Sequence, residues 1–306
     1  MLYGIDIGGS KIEIAVFDQS LSSLWTKRIA TPQNHYQDFL NSIIQLIKEA
    51  DDFCQEQGSI GIGIPGIINQ QNQLIYTTNI NVAKNKPLVH DLEHHLARKI
   101  HIENDANCFV LSEFFSDENQ SNNNMLGIIL GTGFGGGLII NQRIVSGNNG
   151  CAGEIGHMSL PFSVMNTLSK PLPLIPCGCG KIGCGERYLS GTGFEWLYQH
   201  YYHTTLSAPA IITHYYQQDP KAQAHVERYL ELLAAYLANV LMIVDSQIIV
   251  IGGGLSHFDE IYQQLPEKMA KYLLKQMNVP LIKKAKYGDS GGSRGAALLA
   301  TCNNIK

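Results

Sequence analysis

Three times along this chain an apolar, β-forming run ends in clustered glycine. Gly8, Gly9, Ser10 and Lys11 follow residues 2–7; Gly131, Thr132, Gly133, Phe134, Gly135, Gly136 and Gly137 follow residues 127–130; Gly252, Gly253, Gly254, Leu255 and Ser256 follow residues 248–251. Glycine lets backbone amides turn toward an anion with no side chain in the way, so such turns are candidate phosphate cradles. Any one of them is equally what a tight hairpin requires. Residues 4–10 and 127–133 share the order glycine, three residues, glycine, and a second β-rich run follows each. That distant likeness is too widely spaced for a solenoid and predicts two related halves, with a nucleotide held between them.

The common nucleotide motifs fit less well. Gly4 and Gly9 have the spacing that opens a P-loop, but Ser10 and Lys11 stand in the wrong order for lysine and hydroxyl to reach phosphate and Mg²⁺. A dinucleotide fingerprint needs a helix directly after its turn, whereas Gly8 and Gly131 lead into further β-rich sequence. Asp6, closing the first strand, reads either as a turn-capping aspartate or as the residue that positions Mg²⁺ through water.

Between the turns the pattern alternates. Phe39, Ile43, Leu46, Ile47 and Ala50 have helical spacing; a strand is expected at 60–64, stopped by Pro65 and Gly66. Asp91 is expected to cap a helix carrying Leu92 and Leu96, and a short strand at 100–102 precedes Glu103, Asn104 and Asp105. Residues 190–244 read as helical, with Tyr229, Leu232, Leu233, Tyr236, Leu237, Val240 and Leu241 on one face, and a last helix is expected from Ser293 to Cys302. Strands alternating with helices predict an α/β fold. The polar, asparagine-rich residues 117–124 suggest a boundary near 118, giving a small domain 1–118 to which helix 293–306 returns, and a large domain 119–292.

Composition excludes several classes. With 44% apolar and 16% charged residues, the 306-residue chain is globular rather than disordered. Its 22 Lys and Arg against 26 Asp and Glu give a net charge of −4 and no basic footprint for nucleic acid. No stretch is long enough to span a membrane, and the first residues lack the pattern of a secretory signal, so a cytoplasmic location is expected.

Of the seven cysteines, Cys177, Cys179 and Cys184 form C-x-C-x4-C in a glycine-rich segment, with His157 twenty residues upstream of the first. Three thiolates and an imidazole make a closed tetrahedral set suited to structural Zn²⁺; the competing reading is a reduced, metal-free cluster. Cys54, Cys108, Cys151 and Cys302 read as small buried side chains. Asp105, after a strand and before Phe109, Val110 and Leu111, reads as a plain helix cap or as a general base at a sheet edge.

At these residues the sequence resembles the ROK family of sugar kinases and sugar-responsive repressors. Residues 6–11 are similar to its first phosphate loop, 103–107 to its catalytic segment and 131–137 to its second phosphate loop. Residues 154–157 and 177–186 are similar to its zinc and sugar motifs, and 252–256 to its adenosine loop. Ser10 stands where the family more often has threonine, which retains the hydroxyl. The resemblance implies a two-domain actin-like (ribonuclease H-like) ATPase fold with an interdomain active-site cleft, and transfer of phosphate from ATP to the 6-hydroxyl of a hexose-type sugar.

It further implies Asp105 as the base, and sugar contacts from Gly66, Asn79, Asn104, Asp105, Glu154, His157 and Glu186. ATP contacts fall to Asp6, Gly8, Gly9, Ser10, Lys11, Gly131, Thr132, Gly133, Phe134, Gly135, Gly252, Gly253, Gly254 and Leu255, and zinc to His157, Cys177, Cys179 and Cys184. A homodimer is usual among similar proteins. Residues 193–202 and 224–234 are similar to the family's bacterial N-acetyl-D-glucosamine kinases. Glucose, fructose and N-acetylmannosamine stay open as substrates. The repressor reading needs a DNA-binding segment before the first phosphate loop, which here begins within ten residues of the start. A catalytically idle sugar-binding scaffold is disfavoured by the retention of Asp105 and all three turns.

Overall fold

The computed structural model describes residues 1–301 other than 70, 78, 117, 120, 121, 166, 167, 289 and 290; Asp117 and Cys302 therefore lie outside the described residues. The chain forms two units, the first made of Met1–Asn123, Gly137–Gly153 and Tyr287–Lys306, the second of Asn124–Gly136 and Glu154–Lys286.

The first unit begins β1 (Leu2–Ile7), β2 (Lys11–Phe17), β3 (Ser23–Ala30), α1 (Tyr36–Cys54), β4 (Ser59–Ile64), β5 (Ile67–Ile68), β6 (Ile75–Tyr76), α2 (Leu88–Leu96), β7 (Ile100–Asn104) and α3 (Asp105–Phe114). Its main sheet has the order β3-β2-β1-β4-β7. β1 pairs antiparallel with β2 and parallel with β4. As a central strand covered on both sides, β1 sends alternate residues to opposite faces. Tyr3, Ile5 and Ile7 join Phe39, Ile43 and Ile47 of α1 in one core cluster, while Leu2 packs with Ala15, Phe17 and Ala297 on the other face. Asp6 shares the second face, and its place at the strand end brings a carboxylate to the sheet edge without burying it mid-core.

Several local expectations are corrected. Asp91 is no cap: α2 starts at Leu88 behind Pro87, which buries Leu88 as well as Leu92. Asp91 lies in the first turn and accepts a hydrogen bond from the Tyr36 hydroxyl at 2.8 Å. β7 runs on to Asn104 because the parallel ladder with β4 continues through Glu103↔Gly63 and Asn104↔Ile64. Cys108 is buried and Cys54 half-buried, but Cys151 is exposed, just after Gly150 in a left-handed turn.

The chain continues with β8 (Met125–Leu130), β9 (Phe134–Ile140) and β10 (Arg143–Ile144), passing from the second unit into the first within β9. Then follow α4 (Phe162–Met165), α5 (Glu186–Leu189), α6 (Gly191–Tyr202), α7 (Ala208–Tyr216), α8 (Pro220–Val244), β11 (Ile248–Gly252), α9 (Glu260–Ala270) and β12 (Leu281–Lys284). β11 is parallel to both β8 and β12 and wholly buried. The seven apolar-face residues of α8 named above are all buried. Finally α10 (Gly291–Leu299), beginning two residues before the expected Ser293, returns to the first unit. Among the described residues no helix is long and apolar enough to cross a membrane.

Candidate active site

In the first unit, the β1–β2 turn closes through Gly8 N–H donating to the Lys11 carbonyl at 2.8 Å. Its other carbonyls are held from outside: Gly8 by the Thr31 hydroxyl at 2.7 Å, Gly9 by the Gln33 amide, and Ser10 by the Thr31 N–H at 3.1 Å. A Cβ on Gly9 would sit 2.8 Å from the Asn79 carbonyl oxygen, so glycine there allows Asn79 to approach the turn. Asp6, just before the turn, packs against α10, where a Cβ on Gly292 would lie 2.7 Å from its Oδ2. Burial, then the negative charge of Asp105, push the Asp6 carboxyl up to about 6, with Lys11 and Arg28 opposing.

Asp105 opens α3, and burial raises its carboxyl too, against backbone N–H donors that hold it down. Asn104 is the cap. Its Oδ1 accepts from Ala106 N–H at 2.8 Å, and its Nδ2 donates to the Gly66 carbonyl at 2.9 Å, fixing a glycine with φ of 128°. Beneath them Glu103, itself buried, accepts from Asn104 N–H at 2.9 Å, from Asn107 Nδ2 at 3.2 Å and from the Ser146 hydroxyl. Asp105 Oδ1 also accepts from Ala106 N–H at 2.9 Å, and a second raised carboxyl, Asp6, lies near this helix start. Two carboxylates raised by burial, Asp6 also by the charge of Asp105, favour a divalent cation, which would relieve both.

In the second unit, the β8–β9 turn closes through Gly131 N–H to the Gly133 carbonyl at 3.1 Å. The turn at Gly252–Gly254 lies against it: a Cβ on Gly253 would be 2.7 Å from Gly131 N. Phe134 and Leu255 have buried side chains, so only their backbones can meet a ligand. Phe134 N–H donates to Glu186 Oε2 at 3.3 Å, and a Cβ on Gly133 would come within 2.9 Å of that same oxygen. The acidic start of α5 thus reaches the turn only because residue 133 lacks a side chain.

His157 Nδ1 is 3.6 Å from Cys177 Sγ, Cys179 Sγ is 3.6 Å from Cys184 Sγ, and all four ligand atoms lie within 4.8 Å of one another. A tetrahedral zinc with Zn–S of about 2.3 Å and Zn–N of about 2.0 Å has edges of roughly 3.5–3.8 Å, so the cluster fits. Burial raises the Cys177 thiol and pushes Cys184 up to about 12, a crowding that a cation would relieve. His157 Nε2 faces Glu154 Oε2 at 3.6 Å, leaving Nδ1 for the metal. The turn carrying His157 is held by Tyr236 of α8, whose hydroxyl contacts the Ile155 carbonyl and the Met158 carbonyl, the latter at 3.1 Å.

A profile of the ROK family matches residues 2–303. The chain belongs to the ROK family. Its relatives include the N-acetyl-D-glucosamine kinase of Yersinia pseudotuberculosis serotype IB (strain PB1/+), 50% identical over 299 residues and 98% of each chain. Another is that of Pectobacterium carotovorum subsp. carotovorum (strain PC1), 50% identical over 304 residues, 99% of this chain and all of the other. Among solved structures, the ROK hexokinase of Thermus thermophilus superposes with a TM-score of 0.85 at 27% identity, covering 98% of this chain and 97% of that one. The ROK family glucokinase of Streptomyces griseus, in complex with glucose and AMPPNP, gives 0.77 at 25% identity over 98% and 99%. The α/β fold with two sheets is thus that of ROK sugar kinases, the actin-like ATPase fold.

The structure gathers Asp6, Lys11, Gly66, Asn79, Asn104 and Asp105 in the first unit, and Glu154, His157, Glu186, the cysteines and two glycine turns in the second. Sequence reasoning missed Thr31, Gln33, Glu103, Ser146, Thr192 and Tyr236. Their side-chain hydrogen bonds span from 23 residues for Thr31 to 81 for Tyr236, apart from the near-neighbour bonds of Glu103 and of Thr192 with Ser190, and no local pattern marks them.

Proposed function

We propose that the protein is an ATP-dependent kinase that phosphorylates the 6-hydroxyl of N-acetyl-D-glucosamine. The observation that carries this reading is Asp105: a carboxyl at the first position of a helix already capped by Asn104, beside a second raised carboxyl at Asp6. Full-length kinship at 50% identity with N-acetyl-D-glucosamine kinases selects the sugar.

In this mechanism Asp105 accepts the proton of the sugar O6 as the O6–P bond forms and the bond from the γ-phosphorus to the bridging oxygen breaks, releasing ADP. Asp6 would help hold Mg²⁺, which would neutralise phosphate charge. The glycine turns hold phosphates through their amides, and Asn104, Glu154, His157 and Glu186 orient the ring. His157, Cys177, Cys179 and Cys184 would hold zinc, whose contribution would be to shape the pocket. A cytoplasmic setting suits both the ATP supply and the reduced thiols.

The test is ATP consumption against a panel of hexoses and N-acetylhexosamines. N-acetyl-D-glucosamine should show the highest kcat/KM, with the 6-phosphate as product. A higher value for glucose or N-acetylmannosamine would reassign the substrate, and no turnover with any sugar would sink the kinase reading.

A further inference from the structure

The β8–β9 turn is gripped from behind by the segment that opens α6. Gly191 N–H donates to the Gly131 carbonyl at 2.7 Å, and the Thr192 hydroxyl donates to the Thr132 carbonyl at 2.9 Å. A carbonyl can only accept, so the single hydroxyl proton of Thr192 is committed to that bond. Ser190 Oγ lies 3.0 Å from Thr192 Oγ1, and Ser190 must therefore be the donor between them. Its own oxygen is left to accept Gly193 N–H at 3.0 Å, which is the cap of α6. The relay consequently has one direction, from the first turn of α6 through two hydroxyls to the Thr132 carbonyl.

That bond governs an amide. In a trans peptide the carbonyl of one residue and the N–H of the next point to opposite sides. Pinning the Gly131 and Thr132 carbonyls toward α6 turns the N–H groups of Thr132 and Gly133 away from it together, which is the arrangement an anion requires. The first unit does the same with different residues, since Thr31 and Gln33 hold the Gly8, Gly9 and Ser10 carbonyls of the β1–β2 turn. We propose that Thr192 is a positioning residue for the nucleotide, its hydroxyl setting the Thr132–Gly133 peptide plane so that this turn presents its amides to phosphate. The proposal rests on the reading of the β8–β9 turn as a phosphate loop.

Thr192 is exposed, so substitutions there leave the core intact. Thr192→Val removes the hydroxyl and keeps the branched shape; Thr192→Ser keeps the hydroxyl and loses only a methyl. Titration calorimetry with a non-hydrolysable ATP analogue, together with KM for ATP, reads the effect. Thr192→Val should weaken analogue binding and raise KM by roughly three- to tenfold, the worth of one hydrogen bond. Its kcat at saturating ATP, sugar affinity and melting temperature should stay at wild-type values, and Thr192→Ser should restore nucleotide affinity. Wild-type affinity in Thr192→Val, or a loss in Thr192→Ser equal to that in Thr192→Val, would overturn the role. A wild-type protein that binds no analogue while still melting cooperatively would instead overturn the phosphate-loop reading, and this proposal with it.

Discussion

Asn104 Oδ1 and Asp105 Oδ1 both accept from Ala106 N–H, at 2.8 and 2.9 Å, and the proposed mechanism gives Asp105 the further task of proton acceptor. Because Asn104 caps α3, replacing Asp105 by Asn should leave the helix intact, and because burial raises this carboxyl the variant should melt no lower than wild type at neutral pH. Turnover should nevertheless fall by on the order of 10² to 10⁴, the usual worth of general-base assistance. Sugar titration should change less than kcat, because the remaining ring contacts stay in place. A near-normal kcat in Asp105→Asn would reduce Asp105 to a sugar ligand. Asp6 carries a pH signature. Its folded-state value near 6 lies above the ordinary carboxyl range, so the folded protein binds this proton more tightly than the unfolded chain. Stability from this group is therefore present below about pH 4 and is lost as pH rises toward 6. Asp6→Asn should be more stable than wild type at pH 7.5 by up to about 3 kcal/mol in Mg²⁺-free urea unfolding, an advantage that shrinks toward pH 4. The place of Asp105 between strand and helix was legible in the sequence. Which neighbour caps the helix was not, since that depends on the backbone angles of Asn104.

The cysteine-rich segment and α8 work as a pair of elements. The loop carrying Cys177, Cys179 and Cys184 contains only short bridges and turns, so its shape depends on its ligands and on α8 behind it. Cys179→Ser should lose zinc, as measured by elemental analysis, and lower both melting temperature and sugar affinity; full activity in metal-free protein would remove the metal from the account. Within α8, His225 is fully buried among Phe194 and Tyr198, and burial, then Arg228, hold its imidazole down to about 3. The unfolded chain takes up this proton near pH 6.5 and the folded protein does not, so stability is lost as pH falls below that value. His225→Phe should be up to about 2 kcal/mol less sensitive than wild type to a drop from pH 7.5 to 5. Equal losses in the two proteins would contradict this. The amphipathic face of α8 is plain in the sequence. That Tyr236 on this face uses its hydroxyl to hold the His157 turn is not, because a tyrosine at a core position looks the same whether or not its oxygen finds a distant carbonyl.

At the scale of the whole molecule, the two ends of the chain are fastened together by missing side chains. α10 lies so close to the first sheet that a Cβ on Gly4 would collide with the Ser293 carbonyl oxygen and one on Gly61 with that of Ala296, and so close to α3 that one on Gly295 would collide with that of Cys108. Gly4→Ala should cost about 3 kcal/mol or more, since backbone on backbone cannot relax as a side chain can. Urea unfolding of the soluble variant measures it; a loss under 1 kcal/mol would show that α10 can shift. The sequence by itself determined the alternation of strand and helix, the three glycine turns, the spacing of the cysteines around Cys177 and the place of Asp105 between strand and helix, because each rests on periodicity or on residues close in the chain. It put residues 137–153 in the large domain 119–292, whereas the packed chain groups Gly137–Gly153 with the first unit, and it left unstated that hydroxyls at Thr31 and Thr192 brace the two turns. Those depended on tertiary structure, because a single hydroxyl has no spacing rule: its partner is whichever carbonyl the packed fold brings within 3 Å.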